Sequence, residues 1–208
     1  MQPVVGPAAP HIDMDRMAEL LWSSDPKLNE YIYQSSSVLR RIIKAEWPED
    51  RGLLCHKQAL TAVSDGSLLG LLVGHTTVEY AANFEASLTL QTKDMSQGEI
   101  DHLTAGIHWM DRLFPEGRDG SYYILELSTM PEARGQGLAS LLLNAAEERA
   151  RTTGCRAICL DVAADNAAVD FYRNRGFETE IETKVPFLEL HHGIGTHLHM
   201  VKSIGEPE

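Results

Sequence analysis

Two glycines at the junction of a strand and a helix constrain this chain more than any other feature. Residues 122–129, Tyr-Tyr-Ile-Leu-Glu-Leu-Ser-Thr, mix β-branched and aromatic residues in short apolar alternation and predict a strand. Residues 138–151 carry apolar side chains at Leu138, Leu141, Leu142 and Ala145, the stripe of a helix. Glu147 and Arg151 form a favourable helical charge pair, and Gly154 suits the residue just past the helix end. The turn between strand and helix contains Gly135 and Gly137. The first N–H groups of a helix have no partner inside it, and the helix dipole favours negative charge there. With no Cβ in the way, a phosphate can approach both glycines closely. The turn therefore reads as an anion site.

Two common phosphate signatures are excluded. No Lys-Ser/Thr follows the glycines, so this is not a Walker-A loop. The spacing is not G-x-G-x-x-G, and the turn lies in the second half of the chain, against a dinucleotide fold. What remains is Arg134-Gly135-Gln136-Gly137-Leu138-Ala139, which resembles the acyl-CoA pyrophosphate loop, Q/R-x-x-G-x-G/A, of the GNAT family of N-acetyltransferases. Two further segments follow in the family's order. Residues 156–162 are similar to its fifth strand, and residues 165–177, with Asn166, Ala168, Tyr172, Gly176 and Phe177, resemble its N…A…Y…GF segment. The resemblance is clear over about residues 120–180 and weak before residue 60.

The resemblance implies an α/β fold, a mixed and mostly antiparallel sheet flanked by helices, and an acetyl-CoA-dependent transfer to a primary amine by direct attack in a ternary complex. It implies that the backbone of Leu127, Ser128 and Thr129 pairs with the pantetheine arm, and that Arg134, Gly135, Gln136, Gly137, Leu138 and Ala139 take the pyrophosphate. Tyr172 stands where family members carry the tyrosine that protonates the departing thiolate; a tyrosine, with a usual pKa of about 10, holds its proton at neutral pH. Asn166 resembles the family's cofactor-contacting asparagine, but it stands six residues before Tyr172 rather than seven, so Asp165 is an alternative. For the general base, Glu126 on the fourth strand and Asp161 on the fifth are candidates, beside a water chain. The rival readings are a catalytically inactive acyl-CoA-binding sensor or scaffold, and a transferase of another acyl group.

The rest of the chain fits this frame. Residues 13–22, the turn opening at Asp25-Pro26, and residues 36–47 predict helices near the N-terminus, after a Pro- and Gly-rich arm over residues 1–10 with room for a short edge strand. Residues 58–63 and 68–73 flank Ser-Asp-Gly-Ser and predict a hairpin. The family often joins its third and fourth strands by a short loop; here about 46 residues, 75–120, intervene. Residues 96–114 predict a helix with Ile100, Leu103, Ile107, Met110 and Leu113 on one face, whereas residues 76–92 fit helix or strand. A structureless loop of that length is unfavourable, so helical packing over one end of the sheet is expected, as a specificity element or a structural or dimerising insertion. Residues 180–185 and 196–202 predict a closing antiparallel pair.

Composition narrows the function classes. A chain of 208 residues suits one domain, 1–208, burying roughly 70% of its unfolded surface. The net charge of −12 opposes nucleic-acid binding and is compatible with a cationic substrate, a small-molecule or peptide amine. No apolar run reaches the ~18 residues of a membrane span, and the N-terminus lacks a basic, then apolar leader, so a cytoplasmic protein is expected. Cys55, Cys155 and Cys159 read as buried thiols. His197 and His199 point the same way on a strand, near His191 and His192, yet without a further anchored pair no metal is expected. A homodimer is left open, since no heptad supports one.

Overall fold

A computed structural model describes residues 3–205. Met1 and Gln2 of the expected N-terminal arm fall outside the described residues; the next stretch forms the edge strand β1 (Val4–Pro7). Three helices follow: α1 (Met14–Ser24), α2 (Pro26–Tyr33) and α3 (Ser36–Glu46). Each starts at a side-chain cap that takes up otherwise orphaned N–H groups. Asp13 accepts from Asp15 and Arg16, Asp25 from Leu28 with Pro26 in the first turn, and Ser35 from Val38. The Asp-Gly turn then joins β2 (Ala59–Ser64) to β3 (Ser67–Thr76), as expected.

The insertion is two helices, α4 (Thr77–Thr92) and α5 (Gln97–Leu113), so the helical alternative holds for residues 76–92. Both open with a capping box, Thr76 with Glu79 and Ser96 with Glu99. The side chains that α4 buries are polar. Asn83 donates to His75 Nδ1 and accepts from the Gly52 N–H, while Ser87 donates to the carboxylate of Glu46 and accepts from the Leu53 N–H. His75 also donates through Nε2 to the Leu53 carbonyl at 3.0 Å, and burial pushes its pKa down to about 4, so it is neutral.

After the insertion come β4 (Ser121–Thr129), α6 (Leu138–Thr152), β5 (Ala157–Ala163), α7 (Ala168–Asn174), β6 (Glu178–Thr183), α8 (Pro186–His192) and β7 (His197–Ser203). The seven strands form one sheet in the order β1-β2-β3-β4-β5-β7-β6, antiparallel at every pair except β4–β5. Gly154, with φ of +79°, follows the end of α6 as its sequence position implied. The main core joins α1, α3, the sheet and α6, with Trp47, Leu72, Tyr122, Leu142, Ile158 and Met200 buried in it. The three cysteines are buried and free. Among the described residues no helix is long and apolar enough to cross a membrane.

The central parallel pair is short. Ser121, Tyr122, Tyr123 and Ile124 face Ala157, Ile158, Cys159 and Leu160, and there the ladder stops. Beyond it β4 stays paired with β3 through Thr129, and β5 with β7 through Ala163. The two strands therefore part, and a gap opens in the middle of the sheet. At its start β4 bulges: Val73 faces Glu126 while Gly74 faces Ile124, so Leu125 is the extra residue. Gly74 is required there, because a Cβ would lie 2.4 Å from the Tyr122 ring.

Candidate functional site

The parted strands floor a cleft of about 1300 Å³. Its walls come from α1 and α2, from the insertion helices α4 and α5, and from α7. At one end lies the glycine turn. Gly135 and Gly137 adopt φ of +73° and +78°, and a Cβ added to either would meet nothing within 4 Å. Gly137 is the N-cap of α6, and it caps without a side chain. Among the described residues, the N–H groups of residues 135–140 find no acceptor. Arg134 lines the cleft beside them and has no ion-pair partner among the described residues. The Gln136 amide donates to the Glu132 carbonyl at 2.9 Å, so this side chain braces the turn and leaves its backbone to the anion. Leu138 is buried beneath the turn, and Ala139 lines the cleft.

Leu127, Ser128 and Thr129 line the same cleft on β4, paired with β3 on one side only. The Ser128 hydroxyl donates to the Leu20 carbonyl at 3.0 Å, which leaves the strand's backbone facing the gap as its means of contact. Asn166 also lines the cleft, and both ends of its amide are used internally: Nδ2 donates to the Ser24 carbonyl at 3.3 Å, and Oδ1 accepts from the Ala168 N–H at 2.9 Å. Asp165 is exposed and faces Lys27 at 3.9 Å, outside the cleft lining. Of the two, Asn166 is the residue that the structure brings to the site.

Glu126 and Tyr172 share the centre. Glu126 is enclosed; burial pushes its pKa up to about 8, against the opposing effect of the neighbouring Ser128 and Ser24 hydroxyls. The Ser24 hydroxyl donates to Oε2 at 3.0 Å, and Oε1 is buried without a partner. Tyr172 packs against Phe171 and Phe177, with ring centroids 5.3 and 5.6 Å apart. Burial, and then the charge of Glu126, raise its pKa, so it holds its proton. Among the described residues its hydroxyl makes no hydrogen bond.

Asp161 has a different setting. Its Oδ1 takes the Nδ1–H of His199 at 3.0 Å, and both side chains are buried. Asp161 pushes His199 up to about 10, so the imidazole is charged at neutral pH. His197, the other inward histidine of β7, lies 3.3 Å from Asp25. Burial opposes ionisation of Asp25, but the bonds from His197 and the Leu28 N–H outweigh it and hold the carboxyl below its usual value. Each histidine thus faces one carboxylate, His191 and His192 are exposed, and among the described residues no cluster could hold a metal ion. We expect His199→Ala to cost about 3–5 kcal/mol at pH 7, because it strands a buried carboxylate. The raised His199 pKa makes this contribution full below pH 6.5 and lost as pH rises through 10. Urea titrations of parent and variant at pH 7 and pH 10.5 test this; an equal deficit at both would contradict it.

Several lining residues carried no motif. Ser24 sits in the break between α1 and α2, where Ser23-Ser24-Asp25-Pro26 was readable only as a helix boundary. Tyr80 and Asp111 come from the insertion, and their place in the cleft depends on how α4 and α5 dock.

The sequence model of the Acetyltransferase (GNAT) family matches residues 14–177. Over 60 residues, 27% of this chain, the sequence is 43% identical to N-alpha-acetyltransferase 60 of Danio rerio, and the match spans 25% of that protein's length. An N-acetyltransferase from Staphylococcus aureus Mu50 superposes with a TM-score of 0.71 at 16% identity, over 95% of this chain and 99% of the other. A second solved acetyltransferase gives 0.64 at 20% identity, over 97% and 99%. At these identities the structures show the fold alone.

Proposed function

Because this chain belongs to the GNAT acetyltransferase family, we propose that it moves an acetyl group from acetyl-CoA to a primary amine, by direct attack with both substrates bound. One observation carries the reading: the gap between β4 and β5 runs from an open, cation-flanked glycine turn to a buried carboxylate with an unpartnered oxygen. The pyrophosphate would sit on the free N–H groups of residues 135–140 beside Arg134. The pantetheine arm would pair with β4 at Leu127 to Thr129, in place of the missing strand partner. The thioester would then lie near Leu125 and Glu126, where the bulge redirects backbone N–H groups that can hold the oxyanion.

Glu126, ionised, takes a proton from the substrate ammonium. The freed nitrogen lone pair attacks the thioester carbon, and the C–S bond breaks. Tyr172 gives its proton to the leaving sulfur and recovers one from the new amide nitrogen. One proton leaves through Glu126 for each acetyl group moved. Asp161, already paired with His199, is not the base in this scheme. Calorimetry with acetyl-CoA, followed by thiol release across a panel of primary amines, tests the proposal. Binding with thiol release is expected; a folded chain that fails to bind acetyl-CoA would refute it, and binding without turnover on any amine would favour an acyl-CoA sensor.

A further inference from the structure

The cleft is lined by far more carboxyl groups than one base requires. Six carboxylates line the cleft, at Asp25, Asp111, Glu116, Asp119, Glu126 and Asp161, and Arg134 is its only Lys or Arg among the described residues. Arg134 belongs to the glycine turn; at the other end the charged His199 compensates Asp161, while Asp111, Glu116 and Asp119 have no ion-pair partner among the described residues. Two of the carboxylates are unsatisfied. Glu126 Oε1 and Asp161 Oδ2 are both buried with no hydrogen-bond partner. The Asp161 side chain is only 2% exposed; the Tyr123 hydroxyl lies beside it, and burial, the Asp161 charge and a hydrogen-bond approach to Asp161 raise its pKa, yet it stands too far off to satisfy Oδ2. An unpaired oxygen in such a place is costly unless a ligand supplies the donor. One such oxygen is explained by the reacting amine; the second is not.

Two tyrosines, Tyr80 and Tyr123, lie near Asp161. Tyr80 lies edge-to-face with Tyr123, centroids 5.5 Å apart, and its phenol is pushed up to about 12 by burial and then by Asp161 and Asp111. Carboxylates that outnumber the cations beside them, set against aromatic faces, favour an ammonium group. Asp161 and Glu126 lie on neighbouring strands just past the last paired residues, Leu160 and Ile124, where the spacing begins at about 4.8 Å and widens. Resting on the transferase reading above, we infer that the acceptor is a small aliphatic dication: one amine reacts at Glu126 while a second ammonium sits among Asp161, Asp111, Tyr80 and Tyr123. The second carboxylate is enclosed under the insertion helices, not strung along an open groove, which favours a short diamine over a peptide.

The test compares straight-chain α,ω-diamines of three to six methylenes with 1-aminobutane, 4-aminobutanoate and a basic tetrapeptide, by calorimetry and by thiol release with acetyl-CoA. The best diamine should bind and react at least 10-fold better than 1-aminobutane and at least 100-fold better than 4-aminobutanoate. Asp111→Asn, at an exposed position that does not threaten folding, and Asp161→Asn should each pull the diamine-to-monoamine ratio toward one. Equal handling of diamine and monoamine, or a ratio that neither variant moves, overturns the inference and leaves the transferase standing. Faster acetylation of the peptide than of every diamine also overturns it. Failure of acetyl-CoA to bind brings down the transferase reading and the inference together. Preferential diamine binding without turnover supports the second site and counts against transfer.

Discussion

Glu126→Gln is expected to lower kcat/KM by about 10²–10⁴-fold, the usual contribution of a positioned base, and to remove a rise with pH that the parent shows. The group in the folded chain has its pKa pushed up to about 8 by burial, so it is mostly neutral at pH 7 and becomes a base as pH climbs through 8. Parent kcat/KM should therefore rise with pH and level off above about 8 in the free enzyme. Stability should move the other way. Because the folded pKa lies above the ordinary carboxyl value of 4.5, the neutral form favours folding, and that contribution is present below pH 4.5 and lost as pH rises through 8. A neutral glutamine carries no such loss, so at pH 9 the ligand-free variant should be the more stable, by an amount on the order of 3–5 kcal/mol. A residue of merely structural importance would not give lower activity and higher alkaline stability together. Unchanged kcat/KM across pH 6–9 would remove Glu126 from the mechanism.

The same carboxylate shows what the sequence could and could not disclose. The strand carrying Glu126, the glycine turn and helix α6 are contiguous, and their patterns are local: alternation, then left-handed glycines, then a helical stripe. These were legible. The bulge at Leu125 was not, because it is a misfit between β3 and β4, and neither strand alone encodes it. Nor was the short reach of the β4–β5 ladder, which depends on where two separate strands diverge. Helix α4 stayed ambiguous between helix and strand for another reason. Periodicity finds helices by their apolar stripe, and α4 buries Asn83 and Ser87 against Glu46, His75 and two backbone N–H groups, while Val78 faces solvent. Polar burial is stable here because each donor and acceptor is matched, a fact that exists only in three dimensions.

The partners of the candidate residues lay equally far from local pattern. Ser24 meets Glu126 across 102 positions, His199 meets Asp161 across 38, and His197 meets Asp25 across 172. The strand pair β7–β5 explains the second contact, since Asp161 and His199 are register partners. That pairing joins the Asp161 that the sequence offered as a base to a strand histidine, and leaves one carboxylate oxygen spare.

Gly137→Glu is the second large effect, and its value is that the fold should survive it. A non-glycine residue at φ of +78° costs roughly 1–2 kcal/mol. Nothing lies within 4 Å of the new Cβ, so no clash adds to that cost. A carboxylate at the N-terminus of α6 returns part of it, typically 0.3–1 kcal/mol, through the helix dipole. The side chain would, however, hold its negative charge where the pyrophosphate must sit, beside the free N–H groups of residues 135–140. Losing even two charge-assisted hydrogen bonds at about 1.5–3 kcal/mol each predicts a Kd for acetyl-CoA raised by 100-fold or more. Gly137→Ala separates the causes, because it carries the backbone strain without the charge and should lose far less affinity. Calorimetry on the parent and both variants, beside thermal melts, decides the matter. A folded Gly137→Glu chain that binds acetyl-CoA as tightly as the parent would place the phosphates elsewhere and undo the assignment of the turn. Equal losses in the two variants would instead trace the effect to the left-handed backbone, and charge at the helix start would drop out of the account.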